Sequence, residues 1–200
     1  MIVAIEGVSY SGKSTLIRQL KKHYSHKKIN VICSNENSTN VENGIRHLIK
    51  HNAFELTVEE EFFLFATRLK NKTILLNKKQ RKNTLILIDR FDISFLVLFH
   101  FVRRMSLEKV ENTKNLAISK VKPDAYIFLD TSEEKLKERF IKTKNSHVQR
   151  EGLKHFKASR NGFKTLYKKV DAKKILLNTA ILSKKECFIE AVNFIEKIIE

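Results

Sequence analysis

The most constraining feature of the sequence is an apolar run that leads directly into a glycine-containing turn near the start of the chain. Residues 2–6 (IVAIE) form the run, and residues 7–14 (GVSYSGKS) fit the pattern G-x-x-x-x-G-K-[ST]. Apolar residues at helical spacing follow over residues 14–26. A strand, this turn and then a helix are the context that a phosphate-binding P-loop requires. We therefore expect main-chain N–H groups of the turn to bind the phosphates of a nucleotide.

The side chains of this turn predict the chemistry that accompanies phosphate binding. Lys13 is expected to reach the β- and γ-phosphates, and the Ser14 hydroxyl is expected to ligate Mg²⁺. A P-loop alone does not separate a kinase from a GTPase or an ATPase, and no N-K-x-D guanine motif follows to define the base of the nucleotide. The residues of the turn expected to bind the nucleotide are Gly7, Ser9, Tyr10, Ser11, Gly12, Lys13, Ser14 and Thr15.

Strand and helix patterns alternate along the rest of the chain. Further short apolar runs predict strands over residues 30–33, 84–88, 125–129 and 175–177. Capping boxes predict helix starts at Thr57, Thr131 and Ser183, each with Glu three residues later. Five fully buried strands separated by helices predict an α/β fold, with a five-stranded parallel sheet between two layers of helices.

We expect residues 1–200 to form one P-loop domain. Residues 142–149 are basic and have no apolar periodicity, and they are therefore predicted to form a loop. The length of the chain allows one compact domain or one with a small lid.

The composition limits the partners and the compartment of the chain. Lys and Arg number 39 against 22 Asp and Glu, which gives a net charge of +17. The basic residues are scattered and no recognition-helix pattern accompanies them, so we expect no specific binding of nucleic acid. No apolar run reaches the roughly 18 residues of a membrane span, so no membrane partner is expected. Cys33 and Cys187 are predicted to be buried free thiols, and the cytoplasm is the expected compartment.

A second group of polar residues follows the predicted strand at residues 84–88. Asp89, Arg90 and Phe91 come directly after it. Ligands of open parallel sheets bind in the crevice at the carboxyl ends of the strands. Asp89 is therefore expected to contribute to the Mg²⁺ site with Ser14, and Arg90 to bind an acceptor phosphate or the transferring phosphoryl group.

These motifs together resemble the thymidylate kinase family of nucleoside monophosphate kinases. Residues 5–7 (IEG) with 12–15 (GKST) resemble the start of the family's sequence, and residues 89–94 (DRFDIS) resemble its D-R-[YHF]-x-x-S segment. Residues 65–68 (FATR) and 123–130 (PDAYIFLD) give supporting similarity. The histidines show no spacing typical of metal ligands.

The resemblance implies phosphoryl transfer from ATP, with Mg²⁺, to a pyrimidine deoxynucleoside monophosphate, with dTMP giving dTDP. Lys13, Asp89 and Arg90 would be the catalytic residues. Asn178 and Thr179 would border the adenine. The small-molecule acceptor would be bound by Glu36, Phe65, Arg68, Arg90 and Ser94. Leu64 is the alternative to Phe65 for stacking on the acceptor base.

The resemblance also implies a moving lid and a dimer. Lys142, Lys144 and Arg150 would belong to a small basic lid, at approximately residues 142–151, that closes on the phosphates. Family members form homodimers through the region of residues 93–102, which is apolar on almost every side. We therefore expect a homodimer.

The acceptor side departs from the family pattern at three positions. Asn35 stands where the family has an arginine that contacts the acceptor phosphate, Ser9 where it often has an acid, and Phe99 where it has a glutamine. Glu36 and Arg46 still match.

These departures leave two other functions open. A deoxynucleoside kinase would use Glu36 as a general base on a hydroxyl acceptor. A paralogue with weak catalysis would serve as a nucleotide-binding module.

Overall fold

A computed structural model describes residues 1–27, 30–33, 39–51, 56–79, 83–142 and 146–199. The described residues form one parallel sheet with the strand order β2-β3-β1-β4-β5. The strands are β1 (Ile2–Gly7), β2 (Asn30–Cys33), β3 (Thr84–Asp89), β4 (Ala125–Asp130) and β5 (Lys173–Asn178). The predicted five-stranded parallel α/β fold is confirmed.

The helices join the strands in the alternating order that the sequence predicts. They are α1 (Lys13–His26), α2 (Asn40–His51), α3 (Val58–Lys79), α4 (Asp92–Leu96), α5 (Leu107–Ile118), α6 (Glu133–Ile141), α7 (Ser146–Lys169) and α8 (Lys184–Ile199). A wide π-helical segment, Val97–Val102, continues directly from α4. Within the described residues, no helix is long and apolar enough to cross a membrane.

Alternate side chains of the central strand pack into two separate apolar cores, because successive strand residues point to opposite faces. Ile2 and Ala4 of β1 join the core formed with α3, α4, α5 and α7. Val3 and Ile5 join the other core, which is formed with α1 and α8. This arrangement places the carboxyl ends of β1 and β3 side by side, with Ile5 opposite Asp89.

Two predicted helix starts are confirmed and one is shifted. Thr57 and Glu60 cap α3 reciprocally, and Ser183 and Glu186 cap α8 in the same way. The prediction of Thr131 as the third cap is wrong by one residue. Ser132 caps α6 instead, because its hydroxyl accepts a hydrogen bond from the Lys135 N–H.

The prediction that all five strands are fully buried is wrong for β5. Lys173 and Leu176 are exposed, because β5 is an edge strand that pairs with β4 alone among the described strands.

The predicted loop over residues 142–149 is also only partly correct. α7 begins at Ser146, and so the second half of this segment is helical. Gly152 interrupts α7 with a φ of 70°, which glycine adopts without the strain that a Cβ would cause. Lys144 lies outside the described residues, as does the side chain of Arg150.

Candidate active site

The turn between β1 and α1 depends on two glycines with positive φ. Gly7 has a φ of 133°, and a Cβ there would lie 2.1 Å from the Leu129 carbonyl oxygen of β4. Gly12, with a φ of 103°, directly precedes α1. The loop can therefore pass this close to β4 only with glycine at position 7, and it delivers Lys13 and Ser14 to the first turn of α1.

Lys13 is buried against its own loop. Its Nζ donates to the Val8 carbonyl oxygen at 2.6 Å and to Ser11 Oγ at 3.4 Å. Burial, together with the positive charge of Arg90, holds the pKa of Lys13 well below its usual value, whereas Asp89 and Glu6 oppose the shift. The ammonium is therefore a poorly solvated charge that an added phosphate would stabilise.

Arg90 links the end of β3 to the P-loop. Its Nη1 donates to the Gly7 carbonyl oxygen at 2.9 Å and to Ser94 Oγ at 3.3 Å. Its Nη2 donates to Ser9 Oγ at 3.0 Å. The structure thus brings together Ser9, Arg90 and Ser94.

Glu6 fixes the start of α4 from inside the sheet. Its carboxylate accepts bonds from the Phe91 N–H at 2.7 Å and from the Ser94 N–H at 3.3 Å, and it also accepts the Ser94 hydroxyl. Complete burial raises the pKa of Glu6 to about 7. In the sequence Glu6 stands out only as part of a motif, whereas in the structure it orients Ser94 beside Arg90.

A pocket of about 510 Å³ opens beside Arg90 and is lined mainly by α3, α4 and α7. Among the predicted site residues, the following line it: Ser9, Phe65, Arg68, Asp89, Arg90 and Ser94. Of the two alternatives for stacking on an acceptor base, Phe65 is among the described lining residues and Leu64 is not. Glu36 lies outside the described residues.

One wall of the pocket is an ionic cluster that joins α2 to α3. Glu42 is almost completely buried, and its Oε1 lies 3.6 Å from Nη2 of Arg46 and 3.6 Å from Nη2 of Arg68. The Arg68 guanidinium also lies over the ring of Phe65, 5.1 Å from its centroid. Arg68 is therefore held at the pocket by a carboxylate and by an aromatic face.

Phe99, where the family pattern has glutamine, contributes to an aromatic core behind this wall. Its buried ring lies 4.9 Å from Phe62, 5.0 Å from Phe95 and 5.6 Å from Phe65 between centroids. Phe99 therefore packs against the ring of Phe65 and supports the position of Phe65 in the pocket wall.

The residues expected near an adenine lie at the other side of the P-loop. A Cβ on Gly12 would lie 4.0 Å from Thr179 Cγ2. The Thr179 N–H donates to the Asp130 carbonyl oxygen at 2.8 Å, and Asn178 Oδ1 accepts the Ala180 N–H at 3.0 Å. Both residues therefore shape the turn that follows β5, beside the P-loop.

Of the predicted lid residues, Lys142 can be placed. It is exposed at the end of α6 and its Nζ lies 2.6 Å from Glu138 Oε1. Helix α6 also contacts the P-loop, because Arg139 Nη1 donates to the Tyr10 carbonyl oxygen at 2.6 Å. Arg139 is not among the site residues predicted from the sequence.

Three further charged residues at the pocket were missed. Glu42 and Lys72 are buried, although both lie in helices that also carry exposed charged residues, so their sequence pattern does not distinguish them from surface residues. Glu61, which lines the pocket, forms a bidentate pair with Arg103, with Nε–Oε2 at 2.7 Å and Nη2–Oε1 at 3.0 Å. A long-range pair of this kind has no local sequence signal.

Comparisons with known proteins agree with this geometry. A family model described as thymidylate kinase matches residues 5–190. The thymidylate kinase of Kosmotoga olearia is 27% identical over 186 residues, which cover 92% of this chain and 89% of the relative. That of Mycoplasmopsis pulmonis is 31% identical over 148 residues, which cover 70% of this chain and 62% of the relative.

The solved structures show the same fold. The crystal structure of thymidylate kinase from Ehrlichia chaffeensis superposes with a TM-score of 0.76 at 16% identity and covers 98% of each chain. Because the family match spans nearly the whole sequence, the protein belongs to the thymidylate kinase family of nucleoside monophosphate kinases, as its motifs predict.

Proposed function

We propose that this enzyme transfers the γ-phosphoryl group of ATP to the phosphate of dTMP and so forms dTDP and ADP. The observation that carries the proposal is the position of Arg90. Its guanidinium contacts both Gly7 and Ser9 of the P-loop, and it also lines the neighbouring pocket. One cation is thus available to both phosphates at the point of transfer.

The charge of the pocket supports a phosphorylated acceptor. Among the described lining residues, four cationic side chains (Arg46, Arg68, Lys72 and Arg90) accompany two carboxylates (Glu61 and Asp89). The phosphate of a nucleoside monophosphate has a second pKa near 6 and is mainly a dianion at neutral pH. The excess positive charge suits such a dianion better than a neutral nucleoside.

The reaction that follows from this arrangement requires no general base, because the acceptor oxygen is already ionised. The enzyme must hold two anions in line and neutralise the charge that develops between them. Lys13 and Arg90 supply fixed positive charge for that purpose. Phe65 and Arg68 orient the acceptor base.

Two residues, one in the first turn of α1 and one at the end of β3, fit a magnesium ion. Ser14 and Asp89 provide a hydroxyl and a carboxylate, which are the hard oxygen ligands that Mg²⁺ prefers. When bound with ATP, Mg²⁺ would neutralise phosphate charge. Asp89 also opposes the lowering of the pKa of Lys13 and so favours its charged form.

We further propose that Asn178 and Thr179 border the adenine and that Lys142, Lys144 and Arg150 form a lid over the phosphates. Closure of a lid would exclude water and so suppress hydrolysis of ATP. Removal of positive charge from the lid should therefore raise ATP hydrolysis without acceptor relative to transfer.

The homodimer also remains a proposal, with a changed basis. Residues 93–102 are all buried or half-buried within one chain, so the apolar character of this segment is explained by internal packing. The exposed apolar side chains Phe63 and Leu116 lie instead on α3 and α5, which pack together. Light scattering at micromolar concentration should give the mass of a dimer, and a monomer would contradict the proposal.

The acceptor is tested by measuring ADP release from ATP with thymidine, dTMP, dUMP and dCMP in parallel. We expect dTMP to give the highest kcat/KM. The comparisons do not favour a deoxynucleoside kinase. If thymidine were preferred, and Glu36→Gln reduced kcat/KM more than Arg90→Ala, the proposed acceptor would be wrong, because Glu36 would then act as a general base.

A further inference from the structure

A buried lysine on α3 contacts the main chain of the last residue of β3 and of the residue that follows it. Lys72 is 7% exposed. Its Nζ donates to the Asp89 carbonyl oxygen at 2.8 Å and to the Arg90 carbonyl oxygen at 2.7 Å. A single side chain therefore binds two consecutive carbonyl groups of the turn that carries the proposed catalytic pair.

This turn needs support, because Arg90 has a φ of 59°. In this left-handed region the Cβ of a residue lies too close to the following carbonyl oxygen, so the conformation is strained. Such a conformation persists where surrounding contacts determine it. The Arg90 N–H donates to the Ile5 carbonyl oxygen of β1 at 3.1 Å, and the next N–H, that of Phe91, donates to Glu6. Lys72 holds the same turn from its carbonyl side.

The surroundings of Lys72 show that its charge is not simply neutralised by a partner. Burial and the neighbouring Arg68 lower its pKa to about 8, while Glu42 of α2, Asp89 of β3 and Glu6 of β1 oppose the shift. An apolar side chain here would avoid the desolvation of an ammonium but would leave two carbonyl groups without this donor. The hydrogen bonds to the turn are thus the specific contribution of lysine.

We propose that Lys72 is a positioning residue that fixes the Asp89–Arg90 turn and thereby holds the Arg90 guanidinium between the P-loop and the pocket. The inference rests on the phosphoryl transfer proposed above. Lys72 acts on the transfer step through Arg90 in this proposal, so its loss should lower kcat only when Arg90 is present.

The test compares Lys72→Met in the wild-type enzyme and in Arg90→Ala. In the wild type, Lys72→Met should lower kcat by about 10- to 100-fold, the range that a misplacement of roughly 1 Å can produce, with KM for ATP little changed. In Arg90→Ala, the same substitution should have little further effect, because the two residues act as one unit. Lys72→Arg retains N–H donors and should recover part of the loss.

Lys70→Met is the matched control. Lys70 lies on the same helix, is exposed, and donates to Ser119 Oγ at 2.9 Å, away from the pocket. It should retain the wild-type kcat. Thermal unfolding checks that each variant is folded, and Lys72→Gln replaces Lys72→Met in the same comparison if the methionine variant is not.

A crystal structure of the folded neutral variant, Lys72→Met or its glutamine replacement, gives a readout that does not depend on activity. We expect the Arg90 main chain to leave its left-handed conformation, and its guanidinium to leave the Gly7 carbonyl oxygen. An unchanged Arg90, a wild-type kcat, or equal losses in the two backgrounds would each overturn the proposal. If the wild type phosphorylated none of the nucleotides, the proposed function would fail, and the structure of the variant would still decide the role of Lys72.

Discussion

The two sides of the candidate active site are held together in different ways. On the phosphate side, formed by residues 7–14 and 89–90, cationic side chains bind main-chain carbonyl groups, as Lys13 binds Val8 and Arg90 binds Gly7. On the acceptor side, formed by Glu42, Arg46, Phe65 and Arg68, cationic side chains bind a carboxylate or an aromatic ring.

This difference predicts that the two sides tolerate change differently. Main-chain carbonyl groups are present whatever the side chains are, so the phosphate side depends on the path of a short segment and on a few cations. The acceptor side depends on a set of side chains from separate helices, in which one replacement alters the partners of the others. The departures at Ser9, Asn35 and Phe99 concern positions that the family uses for the acceptor, while the P-loop pattern is complete.

The largest effect should come from the phosphate side. Lys13→Ala should lower kcat by on the order of 10³-fold or more, because it removes the fixed positive charge that stabilises the transferring phosphoryl group. The fold should persist, as circular dichroism and thermal unfolding would show. Lys22→Ala, an exposed change on the same helix, is the control and should be fully active. Undiminished transfer by Lys13→Ala would contradict the assignment of the P-loop.

Arg90→Ala should follow, with a loss in kcat/KM of about 10³-fold, the scale measured for arginines that stabilise phosphoryl transfer. With dTMP as the acceptor, Arg90→Ala should lose more kcat/KM than Glu36→Gln, since no proton has to be removed from the acceptor. Arg104→Ala is the control, because Arg104 is exposed and is not among the described residues that line the pocket. Steady-state kinetics with each variant's best acceptor make the comparison, and a reversed order would support a nucleoside as the acceptor.

On the acceptor side, Arg68→Met should cost about 10- to 100-fold in kcat/KM for dTMP, the range for a lost hydrogen bond to a charged group. Most of the loss should be in KM for dTMP, with KM for ATP unchanged. Glu42→Gln should produce a smaller change in the same direction, because it releases Arg68 without removing it. A loss confined to kcat would place Arg68 on the phosphate side instead.

The smallest expected effect is on the pH dependence of stability. The pKa of Glu6 is raised to about 7, so between its unfolded value and pH 7 the folded protein binds more protons than the unfolded chain. This group alone therefore makes the free energy of unfolding fall as pH rises through that window, by at most about 1.4 kcal/mol per pH unit. Urea unfolding from pH 5 to pH 8 should show a shallower fall for Glu6→Gln. An identical slope would contradict the assigned shift.

Sequence predicted best the parts of the molecule in which neighbouring residues act together. The P-loop is one continuous stretch of sequence, and residues 89–94 are another. Each comes at the end of a strand with a clear apolar pattern. The helix Leu107–Ile118 was missed because most of its residues are polar and few apolar residues mark its buried face.

The remaining parts of the site depend on contacts between distant residues. Lys72 and Asp89 are 17 residues apart, and Glu61 and Arg103 are 42 residues apart. A lysine on a long polar helix is normally solvated, and only the position of the turn after β3 shows that Lys72 is not. Burial of this kind follows from how α3 crosses the sheet, which a single sequence does not specify.

The close passage of Gly7 beside β4 has a consequence for how this protein can vary. In a library of all single substitutions, selected for activity, position 7 should accept no other residue, because even alanine would force the P-loop away from Leu129. Gly44 of α2 offers the opposite case, with nothing within 4 Å of an added Cβ. Alanine there should be enriched under thermal selection, since alanine favours a helix over glycine by about 1 kcal/mol.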